Sequence, residues 1–191
     1  MTTRQETKEK RYYEILQTAL EEFVKKGYYG TTTREISKKL NISSGLLFHY
    51  FESKDSLYDT LLEIGSAEMT EWIDNEKDVL QVLEDAVTHI FNQLETNPFF
   101  AKMFIFMDQA HRLPDVTEKS KVLFNMGDRV ILETVPLIKK GQEENLIREG
   151  DPLSLSMAFW SSVQGIAQGK ESDDKIKMPD PKWIIDIIKK N

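Results

Sequence analysis

Arg34 and Lys54 are cations flanking a stretch that also exposes two large apolar groups, Leu46 and Phe48, and this combination suits contact with duplex nucleic acid. A guanidinium or ammonium can meet phosphate or a guanine edge, and an apolar side chain can meet a thymine methyl in a major groove. If the segment is helical, Leu46 and Phe48 stand about 100° to either side of Leu47, off the stripe formed by Leu47, Tyr50 and Phe51. A solvated helix would carry Lys or Glu there, so something must cover them. Nothing comparable points to catalysis. His49, His89 and His111 are dispersed, no HExxH or GxSxG occurs, and the absence of cysteine removes thiolate ligands and nucleophiles. Glu143 and Glu144 are adjacent and so point to different helix faces. No enzyme activity, metal or cofactor is expected.

The elements that must position these residues are helical. Apolar residues recur at spacings of three and four, as in Ile15, Leu16, Ala19, Leu20 and Phe23, while only nine glycines and six prolines punctuate the chain. A first helix is expected from about Thr7 to Lys26, ending at Gly27. Thr32 and Glu35 have capping-box spacing and start a second helix through Ile36 to Leu40. Asn41 suits a turn that needs positive φ, Ile42 can tuck beneath it, and Ser43 can cap a third helix. Ser53 caps a fourth that begins at Lys54. Two short helices joined by such a turn form a helix-turn-helix, though the same spacing also fits a plain helical subdomain. The identities of Leu46 and Phe48 favour the nucleic-acid surface.

The run TREISKKLNISSGLLFHYFESKDSL, Thr33 to Leu57, resembles the DNA-binding signature of the TetR family of transcriptional regulators, with similarity over roughly residues 10 to 60. The resemblance implies a phosphate contact for Thr33, a base contact for Arg34 and a phosphate held by Lys54. It places Ser44, Gly45, Leu46 and Phe48 in the major groove, with Tyr50 on the DNA backbone. Gly45 would permit close approach, because it lacks a β-carbon. Three positions depart from the commonest family pattern: Ser44 stands where Lys is frequent, Leu46 where Thr is frequent, and Phe48 where Tyr is usual. His49, beside Tyr50 and Phe51, reads as a structural hydrogen-bonding group rather than a pH switch.

Charge divides the chain. Residues 1 to 60 carry ten Lys and Arg against nine Asp and Glu, whereas the remaining 131 carry 15 against 23. The overall net charge of −7 argues against coating nucleic acid through bulk charge, so any contact must be local. Neither a signal peptide nor a stretch near the roughly 18 apolar residues of a membrane span is seen, and the cytoplasm is the expected location. The fourth helix is expected to run to about Trp72, and in the acidic part further helices are expected from Lys77 to Leu94, from Phe99 to Arg112 and from Asp115 to Glu144 with a kink at Pro136. Another starts at Asp151-Pro152, and a terminal one holds Trp183 to Ile188.

The sixth helix is crowded with Phe and Met, which fits either a buried core helix or the lining of a cavity. The family resemblance favours a cavity for the set Phe100, Met103, Phe104, Met107 and Phe124, with Asp128 as polar lining. Trp160, Ser161 and Gly165 on the penultimate helix and Ile184 and Ile188 on the last are the expected homodimer seam. The architecture read from the sequence is therefore all-α, with a three-helix helix-turn-helix DNA-binding domain at 1–53 and a larger helical ligand-binding and dimerisation domain at 54–191. The expected function is a ligand-responsive repressor, released from a palindromic double-stranded DNA operator by a small apolar or amphipathic effector. The competing reading is a helical small-molecule-binding or signalling protein that does not bind DNA.

Overall fold

The computed structural model describes residues 4–68, 77–113, 115–124, 129–173 and 175–190. Among these the chain is all helical: α1 (Arg4–Gly30), α2 (Thr33–Lys39), α3 (Ser44–Tyr50), α4 (Lys54–Glu68), α5 (Val79–Thr96), α6 (Pro98–Arg112), α7 (Glu118–Phe124), α8 (Arg129–Glu143), α9 (Pro152–Ser172) and α10 (Pro181–Ile185). The pairing outside helices is one antiparallel bridge between Ile147 and Lys189. No helix of the described residues is long and apolar enough to cross a membrane.

The chain divides into two compact units, Met1–Ala67 with Lys102–Leu123, and Glu68–Ala101 with Phe124–Asn191. The core of the first unit forms around the α1 stripe, where Ile15, Leu16, Ala19, Leu20 and Phe23 are buried together with Ile36, Leu47, Leu57, Leu61 and Leu62. Phe106 of α6 joins this core, its ring centre 6.1 Å from that of Phe23 and 5.0 Å from that of Tyr58. Met103 and Met107 lie over Gly65 of α4 so closely that a β-carbon there would fall 2.5 Å from the Met107 sulfur. The breadth of the apolar surface on α6 is thus partly explained by packing on α1 and α4.

In the second unit, α5 presents Val79, Val82, Leu83, Ala86, Val87, Ile90, Phe91 and Leu94 to the interior. It packs against α8, α9 and α10. Asp78 caps it by accepting from the amides of Leu80 and Gln81. Asp151 caps α9 through the Ser154 amide, with Pro152 at the first helical position, as its sequence implies.

Several boundaries differ from the sequence expectation. Regular α1 is interrupted at Gly27, where φ is 70°, but helical structure resumes to Gly30. Of the long helix expected from Asp115 to Glu144, the structure describes Glu118–Phe124 and Arg129–Glu143, and Asp128 lies outside the described residues. Pro136 lies inside α8. The last helix is only five residues long, because Ile187 and Ile188 close turns onto Ile184 and Ile185 before the chain enters the bridge beside Ile147.

Candidate nucleic-acid interface

The turn between α2 and α3 is built from short-range hydrogen bonds that the sequence specifies locally. Thr32 accepts from the Glu35 amide at 3.2 Å while the Glu35 carboxylate accepts from the Thr32 amide at 3.2 Å, a complete capping box. The amides of Asn41 and Ile42 donate to the carbonyls of Lys38 and Ser37, and Asn41 takes φ 52°, which Asn tolerates better than most residues. Ser43 then caps α3, its hydroxyl accepting from the Leu46 amide at 3.1 Å. The register of α3 is therefore fixed from its first turn.

That register buries Leu47 completely and leaves Ser44, Gly45, Leu46, Phe48 and His49 exposed. Leu46 is 39% exposed and Phe48 47%, so both apolar groups reach solvent from the same short helix that buries Leu47. Arg34 is exposed one position into α2, and Thr33 is half-buried beside it. Tyr50 is half-buried, with the His49 ring edge-on to it at 5.6 Å. His49 thus points outward, and the structural role expected for it is reduced to this ring contact.

Lys54 is placed differently from the phosphate-holding role that the resemblance implies. Its Nζ donates to the carbonyls of Tyr28 at 2.9 Å and Thr31 at 3.1 Å, and it lies 3.9 Å from the centre of the Tyr28 ring. The ammonium is a second donor to the Tyr28 carbonyl, which also accepts from the Thr31 amide at 3.3 Å, and it joins the first residue of α4 to the end of α1. The Tyr28 hydroxyl in turn donates to Asp55. Burial, and then the Asp55 carboxylate, push the Tyr28 phenol well above its ordinary range. Burial likewise raises Tyr58 to about 12.

Glu22 is a supporting residue that sequence reasoning missed. Its side chain is almost wholly buried on α1, with Lys26 Nζ at 2.8 Å and Lys39 Nζ of α2 at 2.5 Å. Lys26 first, and then Lys39, hold its carboxyl below the usual range in spite of burial. Lys26 also meets Glu35 at 2.9 Å, so one charge chain ties α1 to both ends of α2. The available signal was position: Glu22 follows Ile15 by seven and Ala19 by three, which puts an acid on the apolar stripe.

The remaining site candidates are distributed over both units. Met103 and Met107 are buried against Gly65, and Phe104 is half-buried, all in the first unit. Phe100 and Phe124 are half-buried in the second, where Phe100 meets the His89 ring edge-on at 6.5 Å. Asp128 lies outside the described residues. Trp160, Ile184 and Ile188 are interior to the subunit: the Trp160 indole donates to Thr134 at 2.8 Å, and Ile184 and Ile188 are buried in the unit where α10 packs on α5. Having almost no exposed surface to lose, these three cannot form the expected seam. Ser161 and Gly165 are exposed, in line along α9 with exposed Leu153 and Met157. Among the described residues no group of acidic and His side chains could hold a metal ion.

A family model described as bacterial regulatory proteins, tetR family, matches residues 15–61. The HTH-type transcriptional repressor KstR2 of Mycobacterium tuberculosis is 31% identical over 166 residues, covering 82% of this chain and 81% of that protein. The HTH-type transcriptional regulator YvkB of Bacillus subtilis is 27% identical over 178 residues, 89% of each chain. The structure of the ketosteroid transcriptional regulator KstR2 superposes with a TM-score of 0.76 at 20% identity, over 95% of this chain and 96% of that one. AibR, solved in complex with isovaleryl coenzyme A and operator DNA, superposes with a TM-score of 0.73 at 19% identity, over 92% and 94%.

Proposed function

Because the chain belongs to the tetR family of bacterial regulatory proteins, we propose that it is a transcriptional repressor that binds operator DNA as a homodimer and is released by a small apolar or amphipathic effector. The observation that carries this reading is the exposed face of α3, where a capped, rigid turn presents Leu46 and Phe48 beside the exposed Arg34. Residues 1–53 read the DNA in this account, and residues 54–191 dimerise and respond to the effector. Two copies of α3 would enter successive major grooves about 34 Å apart. The protein would act in the cytoplasm, where it meets the chromosome.

The row Leu153, Met157, Ser161 and Gly165 supports pairing through α9, since residues four apart share one helix face and all four are exposed. A β-carbon on Gly165 would meet nothing within 4 Å, so another helix can approach closely there. KstR2 is a repressor and AibR binds isovaleryl coenzyme A together with operator DNA, which supports the repressor assignment and an effector with an apolar part. Effector and operator must weaken each other's binding by the same factor. Mobility-shift titration of the full chain on the DNA upstream of its own gene tests the reading. A retarded band that acyl thioesters, sterols or neutral lipophiles dissolve is expected; failure to retard any duplex overturns it.

A further inference from the structure

We propose that the operator half-site is distinguished mainly by the C5 methyl groups of thymine, gripped by Leu46 and Phe48 on the two flanks of α3. This deepens the repressor reading and rests on it. With Leu47 fully buried at the base of the helix, Gly45 and His49 lie about 200° around from it in opposite senses and form the exposed crest. Leu46 and Phe48 lie on the shoulders to either side. Gly45 puts no side chain on the crest, and the nearest atom a β-carbon there would meet is the Ser43 hydroxyl, 3.9 Å away. The backbone can therefore sink toward the base pairs until both shoulders touch the edges that line the groove.

Those shoulders lack the chemistry that reads purines. The segment SGLLFHY of α3 contains no Arg, Lys, Asn or Gln, the side chains that form bidentate pairs with guanine or adenine. Its outward polar groups are the Ser44 hydroxyl and the His49 ring. Most of what remains to make contact is hydrocarbon, and thymine's methyl is the apolar feature of the major-groove edges. Cytosine has only hydrogen at C5 and presents its N4 amino group beside it, which would lose water against Leu46 or Phe48 without gaining an acceptor. The exposed Arg34 on α2 and the polar rim then fix orientation, while the apolar shoulders discriminate.

The test uses the full-length protein and a duplex it enriches from a randomised pool. Each thymine of that duplex is replaced in turn by deoxyuridine, which pairs identically and lacks only the methyl. Loss of a contacted methyl should weaken binding about fourfold, and two or more such positions should appear in each half-site. Leu46→Ala should abolish the uracil effect at one set of positions and Phe48→Ala at another. Equal affinity for the thymine and uracil duplexes, or enriched sites without thymine at the contacted steps, overturns methyl readout while leaving the repressor reading intact. Enrichment of no duplex overturns both, and a protein partner on this face would then be the occupant.

Discussion

The ammonium of Lys39 on α2 lies 2.5 Å from Oε1 of Glu22 on α1, and the Glu22 side chain is 1% exposed. This is an ion pair between the helix that forms the floor of the DNA-binding head and the helix that aims α3. Its other oxygen meets Lys26 at 2.8 Å, so a buried carboxylate is held by two cations that themselves reach solvent. Such an acid is costly to strand, and the pairing makes the angle between α1 and α2 depend on charge as well as on packing.

Glu22→Gln should destabilise the head by about 2 kcal/mol at neutral pH, because a buried site built for a carboxylate would hold an amide facing two ammonium groups. Folding lowers this carboxyl below its ordinary value of 4.5. Its contribution is therefore fully present above that value and is lost as pH falls through the lowered folded value. Urea unfolding of both proteins should show a wide gap at pH 7 that narrows steadily below pH 4. A gap independent of pH would mean that charge at Glu22 does not hold the helices.

Lys54 and Arg34 should separate in their response to salt. Arg34 is exposed and available to DNA, whereas the Lys54 ammonium is occupied by the carbonyls of Tyr28 and Thr31. Neutralising one phosphate contact changes the slope of log affinity against log salt by about 0.9. Arg34→Ala is expected to weaken operator binding and flatten that slope. Lys54→Met should cost about 2 kcal/mol in folding stability and leave the slope unchanged. A flattened slope in the Lys54 variant would restore it to the phosphate.

Local chemistry made the head readable. Thr32 with Glu35, Asn41 and Ser43 act within four residues, so their spacing alone fixes the cap, the turn and the start of α3. Nonlocal partners were not readable in the same way. Nothing near Lys54 in the chain announces the carbonyls of Tyr28 and Thr31 as its partners, and nothing near Glu22 announces Lys39. Apolar periodicity has a related ambiguity: Ile184 and Ile188 show that a face is buried, but a packed α5 and a second subunit demand the same residues. Leu153, Met157, Ser161 and Gly165 carry the complementary signal, a helix face left uncovered, which only becomes visible once the subunit interior is known.

Placing a charge on either face of this second unit should give different outcomes. Met157 is 49% exposed, and Met157→Glu should leave the subunit folded while converting dimer to monomer in light scattering, with operator affinity falling alongside. Ile188 is fully buried, and Ile188→Asp should unfold the unit instead. A Met157→Glu protein that remains dimeric would move the interface away from α9.

The Trp160 indole offers a local measure of how α8 and α9 are joined. Thr134 donates its hydroxyl proton to the Val130 carbonyl at 2.7 Å, which turns its oxygen lone pairs toward the indole N–H, 2.8 Å away. Both side chains are buried, so water cannot readily replace the acceptor. Thr134→Val preserves the branched shape but removes the oxygen, and it should cost about 1 to 3 kcal/mol, whereas Thr134→Ser, which keeps the hydroxyl, should lose only the packing of one methyl group. Trp160→Phe removes the donor, so adding Thr134→Val to it should cost less than Thr134→Val alone. A double-mutant cycle read by urea denaturation would then give a coupling energy near 1 kcal/mol. Strict additivity would show that packing alone, without this hydrogen bond, holds α8 against α9.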